Sequence, residues 1–183
     1  MSHHAEYDPV ASRAGAPATA VLRPARRDDV EDLLRFDITV VTRTRDDWID
    51  AIDKTERGER LLLVAEVAGR VGAFAQTHHL DEHALDRSPA GFYLTGVTVL
   101  QEFRRAGLAC DLTVARLTWI AERAEEAWYF AAAENAASIR LHDEQGFVEV
   151  LRAPRIHGVN FAGGEGVLYR ADLTGHEADP GRS

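Results

Sequence analysis

The densest set of groups suited to holding an anion lies in one short stretch, LQEFRRAGLACDL, at residues 100–112. It follows an aromatic and β-branched run (residues 92–99) and precedes a helical period in which Leu108, Leu112, Ala115 and Trp119 share a face. Asp111, Thr118, Glu122 and Glu125 fall on the opposite side. A strand that passes abruptly into a helix aims several backbone N–H groups at one point, and the positive end of the helix dipole reinforces them. Gly107 would let the backbone approach an anion closely, and Arg104 and Arg105 would add charge. No Gly-Lys-Ser/Thr follows, so this is not a Walker loop, and the three-glycine dinucleotide fingerprint is missing. Taken by itself, an Arg-x-x-Gly-x-Ala string is equally a basic turn that caps a helix.

The remaining polar candidates are weaker. His78, His79, Asp81, Glu82 and His83 crowd one irregular loop and could supply a base, although ordinary loop chemistry accounts for them as well. Their spacing matches no metal-ligand pattern. His3 and His4 stand in an Ala-, His- and Pro-rich arm. Cys110, the one cysteine, excludes an internal disulfide and CxxC metal motifs, and reads as a small buried side chain.

The elements that must position these groups can be read from period and punctuation. Residues 1–18 form a flexible arm, residues 19–173 a single domain and residues 174–183 a tail. A strand is predicted at residues 20–23, then a helix with Asp28 as N-cap and Glu31 as its capping-box partner. A second helix spans about 46–55. Apolar runs at 61–67 and 71–77, separated by Ala-Gly-Arg, predict a hairpin. Gly96 inside the strand at 92–99 predicts a bulge or a close backbone approach. Residues 128–133 form a continuous apolar run, as expected of a strand covered on both faces. Asn135 should cap a short helix that Gly146 ends. Two closing strands, at 147–151 and 166–173, flank a Gly-rich connection.

With 183 residues, 45% hydrophobic and 28% charged, the chain suits one α/β domain with a proper core. Its formal charge of −9 argues against non-specific nucleic-acid binding, which requires a basic surface, and would suit a cationic acceptor. Nothing approaches the roughly 20 apolar residues of a membrane span, and no apolar signal core is present, so cytoplasmic residence is expected.

Two blocks together resemble the GCN5-related N-acetyltransferase superfamily. YLTGVTVLQEFRRAGLA is similar to that family's fourth strand and pyrophosphate loop, and ENAASIRLHDEQGF (residues 134–147) to its fifth-strand exit and following helix. Ser-x-x-Leu-His before the Gly looks like the phosphinothricin-acetyltransferase branch. The resemblance implies a central mixed, mostly antiparallel sheet of about seven strands with helices on both faces and splayed fourth and fifth strands. It implies acetyl-CoA as acyl donor. The pantetheine arm would pair with the strand at Val97, Thr98 and Val99, and the pyrophosphate would rest on Arg104, Arg105, Ala106, Gly107, Leu108 and Ala109. Asn135 and Ser138 would meet the pantetheine arm; for Asn135 a plain capping role is equally open. His142 takes the place of the family's usual Tyr as proton donor to the leaving thiolate, with Leu141 turned to the core and His142 free to face the cleft. Imidazole suits such a role because its reference pKa is near neutrality. A strand carboxylate that serves as base in some relatives is replaced here by Thr95 and Gly96.

Three functions fit these residues. One is acetyl transfer to a primary amine of a small molecule; the second is transfer to a protein, peptide or aminoacyl amine; the third is an acyl-CoA-binding module without turnover. No nucleic acid or membrane partner is expected, and a homodimer is compatible with the chain.

Overall fold

The computed structural model describes residues 20–36, 43–161 and 163–175. The arm and most of the tail read from the sequence lie outside them. Seven strands form one mixed, mostly antiparallel sheet of order β1-β2-β3-β4-β5-β9-β6, and a two-stranded ribbon joins β7 to β8. The strands are β1 (Val21–Pro24), β2 (Arg60–Val67), β3 (Arg70–Leu80), β4 (Gly91–Val99), β5 (Glu126–Ala132), β6 (Val148–Ala153), β7 (Arg155–Ile156), β8 (Val159–Asn160) and β9 (Gly166–Asp172). The helices are α1 (Val30–Leu33), α2 (Arg45–Glu56), α3 (Leu108–Ala121) and α4 (Ala136–Asp143). The chain divides into two compact units, one reaching to His78 and including Thr95–Thr113, the other comprising His79–Leu94 and the residues from Val114 on.

In the first unit, β1 pairs antiparallel with β2, and β2 with β3. The predicted hairpin closes through Ala68 and Gly69, both left-handed (φ 51° and 75°), the backbone that suits the twist of a two-residue turn. The core joins Leu33, Trp48, Ile52, Leu62, Val64 and Phe74, with Phe36 and Trp48 set edge-on to Phe74. The first helix begins differently from the sequence reading. Asp28 does not cap it; Asp29 reaches back to accept from the Arg26 N–H at 2.7 Å and pairs with Arg23 across the sheet edge. A buried carboxylate with two such partners outweighs the exposed Asp28–Glu31 pair. The second helix follows expectation, with Thr44 and Asp47 forming a reciprocal capping box.

In the second unit, β5 pairs parallel with β4, in register at Tyr93 and Trp128, and antiparallel with β9, which also carries β6. One core joins Leu94, Leu117, Ile120, Tyr129, Phe147 and Val167. A second joins Tyr93, Trp128, Ile156 and Leu168. The buried stripe of α3 differs from the predicted one, because Ala115 and Trp119 are only partly buried while Arg116 and Leu117 are enclosed. Arg116 is buried whole, head group included, which a hydropathy pattern does not register. The Gly-rich connection contains the β7–β8 ribbon, turned through His157 and Gly158 (φ 47° and 74°).

Candidate functional site

In the first unit the passage from β4 to α3 is a tight turn. Gly96 leaves extended backbone at φ 87°, inside β4. The Leu100 N–H then donates to Gly72 O at 2.9 Å. Gln101–Phe103 form a single 3₁₀ turn, and the Phe103 ring lies over the Gly72 Cα so closely that a Cβ there would sit 2.8 Å from Phe103 Cδ2. Arg104 is extended and its Nε donates to Val99 O at 3.4 Å. Arg105 and Gly107 both take left-handed backbone (φ 66° and 82°), and α3 starts at Leu108, whose buried side chain anchors the turn. The Asp111 N–H closes the first turn on Gly107 O. A helix that starts there leaves its leading N–H groups without carbonyl partners in the helix, so they are available to an anion. Arg104 and Arg105 are exposed and in no ion pair among the described residues. Asp111 Oδ2 lies 3.9 Å from where a Gly107 Cβ would be and opposes them with one negative charge. The donor set fits a pyrophosphate. Val97, Thr98 and Val99 are partly exposed at the end of β4.

The second unit holds the other predicted residues. Asn135 caps α4, its Oδ1 accepting from the Ser138 N–H at 3.2 Å. Ser138 Oγ accepts from the Tyr129 hydroxyl at 2.6 Å. His142, expected to face the cleft, is enclosed. Its ring is 2% exposed and stacks on Tyr129 at 3.6 Å between centroids, 3° from parallel. Leu141, expected in the core, is only partly buried. The reason is the turn of α4: residues 138 and 142 lie four apart on the face that meets β5, so the flat imidazole packs on the flat phenol. His142 Nδ1 must carry the proton, because its partner at 2.8 Å is the Ser138 carbonyl. Nε2 is buried with no partner among the described residues. Burial holds the imidazole at about 4, well below its usual range, with the Arg116 charge acting the same way. Burial likewise pushes the Tyr129 phenol up and Arg116 down to about 9.

His78 and His79, expected in an irregular loop, lie at the end of β3; the loop that follows them and the Gly-rich connection are sewn together within the second unit, by residues the sequence reading missed. Asp86 accepts from the Ser88 N–H and Oγ–H and from the Gly158 N–H, at 3.1, 2.6 and 2.8 Å. Ser88 Oγ accepts in turn from the His157 N–H at 2.9 Å, and His157 Nε2–H and the Tyr93 hydroxyl both donate to Pro89 O. These bonds hold the Asp86 carboxyl well below the usual carboxylate range despite partial burial. His83 Nδ1 lies 3.0 Å from Asp86 Oδ2; Glu82 pairs with Arg87, and His79 sits edge-on to Phe92. Beyond His83 and Ser88 nearby, the partner of Asp86 is a backbone N–H 72 residues away, which no sequence signal announces. No cluster of three or more metal-binding side chains occurs among the described residues.

The protein-family model described as FR47-like protein matches residues 70–156. An N-acetyltransferase from Staphylococcus aureus Mu50 superposes with a TM-score of 0.69 at 20% identity, over 85% of this chain and 99% of its own. The Salmonella typhimurium protein yncA, solved with its cofactor acetyl-CoA, gives 0.68 at 18% identity over 90% and 100%. The ribosomal-protein-alanine N-acetyltransferase from Brucella melitensis gives 0.67 at 21% over 83% and 99%. No curated protein matches the chain in sequence. Strand order, the parallel β4–β5 pairing and these superpositions agree: the chain has the fold of the GCN5-related N-acetyltransferases.

Proposed function

We propose that the chain is an acetyl-CoA-dependent N-acetyltransferase whose acceptor is a primary amine of a small molecule. The observation that carries this reading is the junction at residues 104–109, where Arg105 and Gly107 take left-handed backbone just before α3 begins and Arg104 and Arg105 are exposed. Acetyl-CoA, when bound, supplies an activated acyl group. This chain's part is to hold the pyrophosphate on the backbone of Arg104, Arg105, Ala106, Gly107, Leu108 and Ala109, and the pantetheine arm along Val97, Thr98 and Val99. A strand amide at Val97 would stabilise negative charge developing on the carbonyl oxygen. Asn135 and Ser138 act through the N-terminus of α4, which their mutual bond keeps wound. The Ser-x-x-Leu-His sequence of that helix supports a place nearest the phosphinothricin-acetyltransferase-like branch.

Proton delivery by His142 as an imidazolium is disfavoured by its burial and by a pKa of about 4. His142→Phe decides between this histidine and water. A kcat near normal at every pH assigns the proton to water; a loss of about tenfold or more assigns it to His142.

Acetyl-CoA should raise thermal stability, since binding to the folded state alone must do so, and Gly107→Val should abolish the shift by straining the loop without removing charge. Thiol release against a panel of amines and peptides then separates turnover from binding. An undiminished shift in folded Gly107→Val sinks the loop assignment. A shift without turnover on any amine would make the chain a binding module.

A further inference from the structure

In the second unit, β6 is an edge strand: it pairs with β9 on one side and, among the described residues, with no strand on the other. Val148, Val150 and Leu151 are 59%, 48% and 40% exposed, and the strand contains no lysine or proline. An exposed apolar edge with a row of unpaired backbone groups invites another strand, and chains ordinarily blunt it by shortness, Pro or Lys. The edge strand of the first unit shows that device, because β1 is four residues long and closes on Pro24.

The edge of β6 is also bulged. Glu149 lies opposite Tyr169, Leu151 opposite Leu168 and Arg152 opposite Val167, so Val150 is one residue extra. Tyr169 and Val167 are two apart on β9, and the bulge therefore sets Glu149 and Arg152 on one face of the sheet. Arg152 forks onto Glu149 through Nε and Nη2 at 2.8 and 2.9 Å, and its Nη1 donates to Glu165 at 2.9 Å. By the same count Val148, Leu151 and Ala153 share the other face.

The strand Val-Glu-Val-Leu-Arg-Ala complements itself when two copies run in opposite directions. A two-fold axis between positions 150 and 151 puts Glu149 opposite Arg152 of the partner subunit, and Arg152 opposite the partner's Glu149. Val150 then meets the partner's Leu151, and Val148 the partner's Ala153. Both bulges fall between the two charged pairs, so pairing stays one to one. Shifting the register by one or two residues either way sets each charge opposite an apolar residue instead. A carboxylate accepts more than the two bonds that Glu149 receives, and each Nη of Arg152 has a second hydrogen, so the cross pairs add to the internal ones. The tail at residues 176–183 holds no large apolar side chain and does not match this edge.

We infer that β6 is the interface of a homodimer, in which residues 148–153 of two copies pair antiparallel and the sheet runs on from one copy into the other. The interface requires neither acetyl-CoA nor turnover.

The test is sedimentation of the full chain and of charge-reversed variants whose fold is checked by circular dichroism. Wild type should be dimeric at about 0.1 mM. Glu149→Arg and Arg152→Glu each place like charges opposite one another across the axis, and each should weaken the dimer at least about tenfold. Mixing the two variants in equal amounts should restore a dimer, because a copy with two arginines then faces a copy with two glutamates. The doubly exchanged Glu149→Arg/Arg152→Glu chain should dimerise by itself. Repulsion inside one chain also arises in the single variants, but it cannot be relieved by mixing, so rescue reports the interface alone. Should a single reversal fail to fold, Val150→Lys probes the same edge and should be monomeric. A chain ending at residue 175 should dimerise like wild type. A monomeric wild type, a dimer indifferent to folded β6 variants, mixing without rescue, or loss of the dimer on removing the tail each overturns the inference.

Discussion

Replacing His142 by Phe gives a quantitative test of how this helix is packed, separate from any catalytic role. The wild-type imidazole titrates near 4 in the folded chain and near 6.5 when unfolded. Between those values the unfolded chain binds the proton and the folded chain does not, so stability is complete above pH 6.5 and drains as pH falls toward 4. Integrating over two units, from pH 7 to pH 5, His142 alone should remove about 2 kcal/mol of stability. Phe keeps the stack on Tyr129 and cannot charge. It forfeits the bond to Ser138 O, worth about 1 kcal/mol, and relieves a buried nitrogen with no partner, a term of similar size. At pH 7 the variant should therefore stand near wild type. Urea unfolding at pH 7, 6 and 5 measures both. Other groups titrate in this range, His78 among them, so the readout is the difference between the two proteins. Wild type should lose about 2 kcal/mol more than His142→Phe on going to pH 5. Parallel losses would refute the buried, neutral imidazole and return His142 to the helix surface.

Gly72→Ala should drive a Cβ into the Phe103 ring at 2.8 Å and displace the turn that leads to Arg104, weakening acetyl-CoA binding severalfold in calorimetry. Adding Phe103→Leu to it should recover affinity, and no recovery would show that the ring does not set the loop. Asp86→Ala should leave the Ser88 and Gly158 donors without their shared acceptor, lowering Tm by several degrees and loosening acceptor selection while acetyl-CoA affinity stays within a few fold. Because the Asp86 carboxyl is held low, its contribution is present above its unfolded pKa near 4 and is lost as pH falls below it, so wild type and variant should converge in stability in strong acid. Hydrogen exchange on Gly158 N–H gives an independent check, since protection there should vanish in the variant.

The elements that a period or a punctuation mark announces were legible in the sequence. The hairpin of β2 and β3, the strand-to-helix passage at Leu108 and the Asn135 cap each rest on residues close together in the chain, where local propensity and tertiary structure agree. What escaped was decided at a distance. Asp29 rather than Asp28 serves the first helix because Arg23 and Arg26 converge on it, and Asp86 finds Gly158 72 residues away. His142 was legible as a position and not as an environment. Its place before Gly146 follows from the string of letters, but whether a helical side chain faces solvent or a strand depends on which face β5 covers.

Arg60 shows the same limit from the other side. In the sequence it is one arginine beside an apolar run; only pairing with β3 sets it opposite His78, and no ion pair among the described residues includes it. Charge counted along the chain would have predicted the reverse, since acidic residues exceed basic ones by 30 to 21.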